Sequence, residues 1–141
     1  MIKLTKIFHF ETAHAIHGYN GACKNIHGHS YELHVTVMAD EDFEDHIPAP
    51  GFIIDFKEIK KVVKEDIIQQ LDHKLILSEQ FILDHQYKTT QDNLIVWKAE
   101  PTAENILLYI KSKLKNALPH HIQVANLKLY ETKDSYAEWS I

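Results

Sequence analysis

Cysteine is nearly absent from this chain, one residue (Cys23) in 141. That excludes an intrachain disulfide, leaves the fold to stand on burial alone, and suits a reducing compartment such as the cytoplasm. Glycine and proline are scarce, four of each, and only DEDFEDHIPAPG at 40 to 51 combines them with dense charge, as an exposed loop does. There is no internal repeat, no low-complexity tract and no linker, so residues 1–141 are expected to form a single domain. No apolar run is long enough to cross a bilayer and the N-terminus lacks a signal-peptide pattern, which predicts a protein neither exported nor membrane-spanning. Long basic blocks are missing too: the net charge is −5 and the 15 cationic residues are dispersed, so nucleic acid is not an expected partner. Disorder is excluded by 45% hydrophobic against 25% charged residues.

What the chain has in excess is histidine, eleven in all, and their placement follows from the strand pattern. Residues 2 to 14 alternate, with Leu4, Phe8, Phe10, Thr12 and His14 on one parity. Residues 27 to 37 alternate likewise, with His27, His29, Tyr31, Leu33, Val35 and Val37 aligned. The segment DFKEIKKVVKEDIIQQL reads as a helix capped by Asp55, with Phe56, Ile59, Val63, Ile67 and Leu71 on one face. A second helix opens at Thr102, carries Ala103, Ile106, Leu107, Ile110, Leu114 and Leu118 on one stripe, and is closed by Pro119. The tail alternates again through Leu127, Leu129 and Glu131, then from Tyr136 to Ile141. The order strand, strand, helix, helix, strand, strand predicts an α+β fold on an antiparallel four-stranded sheet with two helices on one face. Between them, 78 to 98 reads as short strands at FILDHQY and LIVW or as a surface excursion.

If the first two strands form an antiparallel hairpin, the end of one lies beside the start of the next, and His14 meets His27 and His29. Three neutral imidazoles with an open fourth position is the donor set of catalytic zinc. A His-x-His pair on one strand also arises without a metal; it is His14 at the matching parity that favours a metal site. His9 and His34 fall on the opposite parity, and His17, His46, His85, His120 and His121 in loops or at helix ends, where surface or structural roles are expected. Glu131 extends an apolar line, and a carboxylate there needs a partner, a bound ligand's N–H groups or a neighbouring lysine or arginine.

FHFETAHAIH, CKNIHGHSYELHV, IIDFKEIK, LDHKLIL, PTAEN and LYET follow one another in an order that resembles the 6-pyruvoyl-tetrahydropterin and 6-carboxy-tetrahydropterin synthase family over nearly the whole chain. The resemblance implies a tunnelling fold whose subunits join their sheets into an oligomeric barrel, a homo-oligomer (a hexamer of two trimers) with active sites between subunits, and one Zn2+ per subunit on His14, His27 and His29. It implies catalytic roles for Cys23, as general base, and for the Asp72 and His73 pair. Glu131 is implied to hold the pterin and join the proton relay, and Glu104 to support the same pocket. The bland alternatives are a small buried thiol, a polar helix end at LDH and a helix-start glutamate that answers the dipole. The implied substrate is the pterin triphosphate dihydroneopterin triphosphate, with Lys24 and Lys74 as candidates for its phosphates. Three residues between Cys23 and His27-Gly28-His29 favour the carboxy product of queuosine synthesis over the 6-pyruvoyl product. A pterin-binding or zinc-stabilised module without turnover is the reading from outside enzymology.

Overall fold

The computed structural model describes residues 1–141. Strand β1 (Lys3–His14) and strand β2 (His27–Ala39) pair antiparallel along their length, from Lys3 opposite Met38 to His14 opposite His27. The pleat explains the pairing: Phe8, Phe10, Thr12 and His14 of β1 and Tyr31, Leu33, Val35 and Val37 of β2 are all buried, so each strand gives one face to the core.

Helix α1 (Phe56–Val63) starts at Asp55, whose carboxylate accepts the Lys57 N–H at 2.8 Å. It runs on through a π-helical turn (Lys64–Ile68) into α2 (Gln69–Leu71). Ile59, Val63, Ile67 and Leu71 are at most 1% exposed and hold this continuous helix against the sheet. Phe56, expected on that stripe, is instead 46% exposed with the Lys6 ammonium 5.9 Å from its ring. Helix α4 (Ala103–Leu114) is capped by Thr102, whose hydroxyl accepts the Asn105 N–H, and buries Ile106, Leu107, Ile110 and Leu114 on the same face of the sheet. It ends short of Pro119, the chain turning through residues 115 to 121 into β5 (Ile122–Thr132), which pairs with β2 and then with β6 (Ser135–Ser140).

The α+β class and the two helices on one face are as expected, but the sheet has six strands, ordered β4-β3-β1-β2-β5-β6, and is mixed rather than antiparallel. The added strands come from the segment after α2: β3 (Lys74–Ser78) runs parallel to β1, and β4 (Leu94–Trp97) runs parallel to β3. FILDHQY is not a strand; most of it belongs to α3 (Glu79–His85), whose cap is the Ser78 hydroxyl accepting the Phe81 N–H. Strand β3 is covered on both sides. Ile76 joins the main core, while Leu75 and Leu77 pack with Phe81 and Ala15 in a second small cluster, so α3 covers the reverse face of the sheet at that end.

Candidate functional site

The end of the β1–β2 hairpin is where both buried lines terminate in imidazole. His14 stands opposite His27 and Thr12 opposite His29 in the ladder, and the three rings lie with centroids 4.6 to 5.1 Å apart. Each offers a ring nitrogen, all within 4.8 Å of one another, so the trio could hold a metal ion. Two backbone carbonyls set the donor atoms: His14 Nδ1 donates to the Pro101 oxygen at 2.6 Å, and His27 Nδ1 to the Asn25 oxygen at 2.7 Å. A carbonyl only accepts, so both Nδ1 atoms carry the proton and both Nε2 atoms present lone pairs. Those two Nε2 atoms face each other at 3.1 Å, an arrangement that repels unless a cation lies between them. His29 Nε2 is buried without a hydrogen-bond partner. The donor set therefore fits zinc, which takes neutral imidazole nitrogen.

Burial holds His14 below the ordinary imidazole pKa, against the opposing pulls of the Pro101 carbonyl and of Glu131, and burial likewise lowers His29. Both are kept in the neutral form a metal requires. Beneath them Tyr31, fully buried and stacked on Phe10 at 5.1 Å, places its hydroxyl 3.4 Å from His14 Nδ1. Desolvation first, then the charges of Glu131 and Cys23, pushes that phenol's pKa far up, so Tyr31 stays neutral.

Beside the trio opens a cleft of about 580 Å³ whose walls include His14, Cys23, Glu104 and Glu131, with Tyr19 and Tyr136 as its aromatic sides. Glu131 falls where the β5–β6 register shifts between Tyr130 and Thr132, a bulge of the kind that re-aims a side chain. Its carboxylate is 3.2 Å from His29 Nε2, close enough for a charge contact but outside hydrogen-bond geometry; the neighbour is an imidazole, neither a lysine nor an arginine. Cys23, half-buried, sits in the 3-10 turn Ala22–Lys24. Glu104, in the first turn of α4, also answers the helix dipole.

Asp72 and His73 are placed elsewhere. They follow α2, and His73 lines a second opening of about 370 Å³ with Glu11, Ser30, Lys74 and Asn93, whose wall also includes His29 of the trio. The Asp72 carboxylate accepts the Glu11 N–H at 2.8 Å and lies 3.0 Å from His73 Nδ1. Burial works to raise its pKa, but the Glu11 N–H and His73 outweigh it and hold the carboxyl below the usual range. His73 is held at φ 59° with its N–H on the Glu11 carbonyl at 2.6 Å, a left-handed backbone that costs a non-glycine residue roughly 1–2 kcal/mol. Its side chain remains 79% exposed.

Of the residues singled out from sequence, the structure thus gathers His14, His27 and His29 into one trio, sets Cys23, Glu104 and Glu131 with His14 in the cleft beside it, and leaves Asp72 and His73 outside that cleft. Sequence reasoning missed the Pro101 and Asn25 carbonyls, which have no side-chain signature, and the part played by Tyr31. The signal for Tyr31 was present, two residues beyond His29 on the same parity.

An α+β fold with paired helices over one face of its sheet and a histidine trio at the hairpin end is consistent with a pterin-synthase type of chain, and the model of the 6-pyruvoyl tetrahydropterin synthase family matches residues 3–140. The chain belongs to that family. It is 30% identical over 143 residues to the 6-carboxy-5,6,7,8-tetrahydropterin synthase of Haemophilus influenzae, covering 99% of each chain. To the enzyme of the same name from Rickettsia typhi it is 34% identical over 142 residues, covering 98% of this chain and 99% of that one. Among solved structures, the 6-pyruvoyl tetrahydropterin synthase of Plasmodium falciparum superposes with a TM-score of 0.74 at 21% identity, over 99% of this chain and 98% of that one, which supports the tunnelling fold.

Proposed function

We propose that this chain is a zinc-dependent 6-carboxy-5,6,7,8-tetrahydropterin synthase, a lyase that converts 7,8-dihydroneopterin triphosphate to 6-carboxy-tetrahydropterin with release of acetaldehyde and triphosphate. The observation that carries the reading is the meeting of three imidazole nitrogens beside a cleft that His14 shares with Cys23 and Glu131. Relatives of the carboxy-forming name that match end to end favour the carboxy product, as does the short CKNIHGH spacing.

His14, His27 and His29 would hold the zinc ion, which when bound supplies Lewis acidity toward the hydroxyls of the substrate's side chain. Glu131 would accept the two parallel N–H donors of the pterin's amino-pyrimidinone edge. Because its carboxylate borders His29, a ring held there has its side chain beside the trio. Cys23 would take the proton from the side-chain carbon as general base. Glu104 would support the same pocket from the first turn of α4.

Asp72 would orient His73 as a proton carrier. Neither residue lines the cleft, so in this reading each cleft takes its Asp72 and His73 from a neighbouring copy, and the working unit is a homo-oligomer, a hexamer, with one zinc per subunit. The same arrangement bears on the triphosphate. All fifteen cationic side chains are lysines, and none lines the cleft, where Glu104, Glu131 and Glu138 do. Lys74 sits beside His73 and would arrive with it, while Lys24 follows Cys23 directly. In this reading residues 1–141 form one pterin-synthase-like domain of a cytoplasmic enzyme that supplies queuosine synthesis.

The test is to identify, by mass spectrometry, the products made from dihydroneopterin triphosphate by the zinc-loaded protein. 6-carboxy-tetrahydropterin with acetaldehyde is the expected result. A 6-pyruvoyl product would keep the site and replace the activity, and an unchanged substrate would remove both.

A further inference from the structure

The segment between β3 and β4 has no part in the cleft, yet α3 reaches the loop that bears Cys23. Residues 15 to 26 cross from β1 to β2 and are mostly exposed. Within this loop, the Ile16 N–H donates to the Cys23 carbonyl at 2.8 Å, and two short-range bonds close the 3-10 turn. Asn25 is tied to β2 through its carbonyl and His27, and on the β1 side the loop is held by His17. Its N–H donates to Glu100 Oε1 at 2.6 Å, and its Nε2 lies 2.9 Å from Asp84 Oδ2 on α3.

Both anchors are themselves fixed. Asp84 Oδ1 accepts from Gln80 Nε2 at 2.8 Å. The His17 ring meets His85 edge-on, 5.7 Å between centroids, and His85 stacks on Phe81 in the small core under β3. The backbone oxygen of Glu100 accepts from Thr102 N and from Asn105 Nδ2, next to the Pro101 carbonyl that holds His14. Glu100 therefore links the two catalytic elements of the proposed reaction, the loop of Cys23 and the histidine trio, through adjacent residues.

We propose that His17, Asp84 and Glu100 form a strap that sets the position of Cys23 in the cleft, making α3 a positioning element for the base. The proposal rests on the reading that Cys23 acts on a substrate held there. Neither Asp84 nor Glu100 lines the cleft, so they are positioning residues. The bond to Asp84 is a hydrogen bond that a neutral imidazole can donate, and an asparagine can accept it in place of the aspartate.

The test compares Asp84→Ala, Asp84→Asn and, as a control on the same helix, Leu83→Ala, whose side chain is 70% exposed. Cys23 is the only thiol, so the rate of its alkylation by iodoacetamide reports the loop directly, without any pterin. In Asp84→Ala the alkylation rate is expected to rise at least about threefold, and kcat to fall about tenfold or more, since small misplacements of a reacting group are that costly. Zinc content and Tm should stay at the wild-type values. Asp84→Asn should restore both rates, and Leu83→Ala should change neither. His17→Ala, outside any helix, gives the same readout should Asp84→Ala unsettle α3. Wild-type alkylation in both Asp84→Ala and His17→Ala overturns the strap, as does faster alkylation with kcat unchanged. If the chain turns over no pterin, the proposed function fails while the alkylation arm still decides the strap.

Discussion

Purified His29→Ala protein is expected to carry no zinc after dialysis, where the unaltered chain retains one ion per subunit. His29 contributes a buried trio nitrogen that makes no hydrogen bond, with only the Glu131 carboxylate near it at 3.2 Å, so it is free to serve as a metal ligand. Without it, two imidazoles remain, too few for a zinc site that needs three protein donors. The loss of affinity should exceed the roughly 10- to 100-fold that follows from removing an outer-sphere partner of a metal ligand. His29 is half-buried where His14 is buried, which makes this the variant with the better prospect of folding normally. Elemental analysis measures the occupancy and thermal unfolding checks the fold. Full zinc occupancy in a folded His29→Ala protein would refute the three-histidine site.

Cys23→Ala should do the opposite: leave zinc in place and remove turnover, by about 100-fold to 10,000-fold, the range a positioned acid or base contributes. Cys23 sits on the β1–β2 loop and touches none of the two carbonyls that hold His14 and His27 in place, so metal binding has no reason to change. The variant also tests the composite site. A Cys23→Ala copy still brings an intact His73, and a His73→Ala copy still brings an intact Cys23. Co-assembled from a denatured mixture, the two inactive chains should recover part of the wild-type rate, because some clefts then pair Cys23 of one copy with His73 of another. If each site drew both residues from one chain, mixing would restore nothing.

The histidine trio was legible because strand parity and hairpin order are local facts. Alternation aligned His27 and His29 with Tyr31, Leu33 and Val35, chain order made β1 the neighbour, and the observed ladder sets His14 opposite His27. The caps at Asp55 and Thr102 were equally local. Strand β3 was not legible, and the reason is physical: Leu75, Ile76 and Leu77 are buried on both faces of the sheet, which erases alternation, and a parallel pairing with β1 spans some sixty residues of chain. Helix α3, seven residues long, is too short for periodicity to separate it from a strand. The sequence and the family resemblance placed Asp72 and His73 at a helix end; only the fold places them away from the cleft, because that depends on which way the turn after α2 faces. For Glu131 the alternation places it on the line of Leu127 and Leu129, whereas its position 3.2 Å from His29 depends on a bulge that no residue pattern announces.

The most direct test of the account is to strip the protein of metal with a chelator, confirm by circular dichroism that it remains folded, and follow conversion of dihydroneopterin triphosphate as zinc is returned. The stripped protein should release neither acetaldehyde nor triphosphate, and activity should return in proportion to zinc and level off at one equivalent per subunit. Product formation at the full rate in folded protein shown by elemental analysis to be free of metal would contradict it.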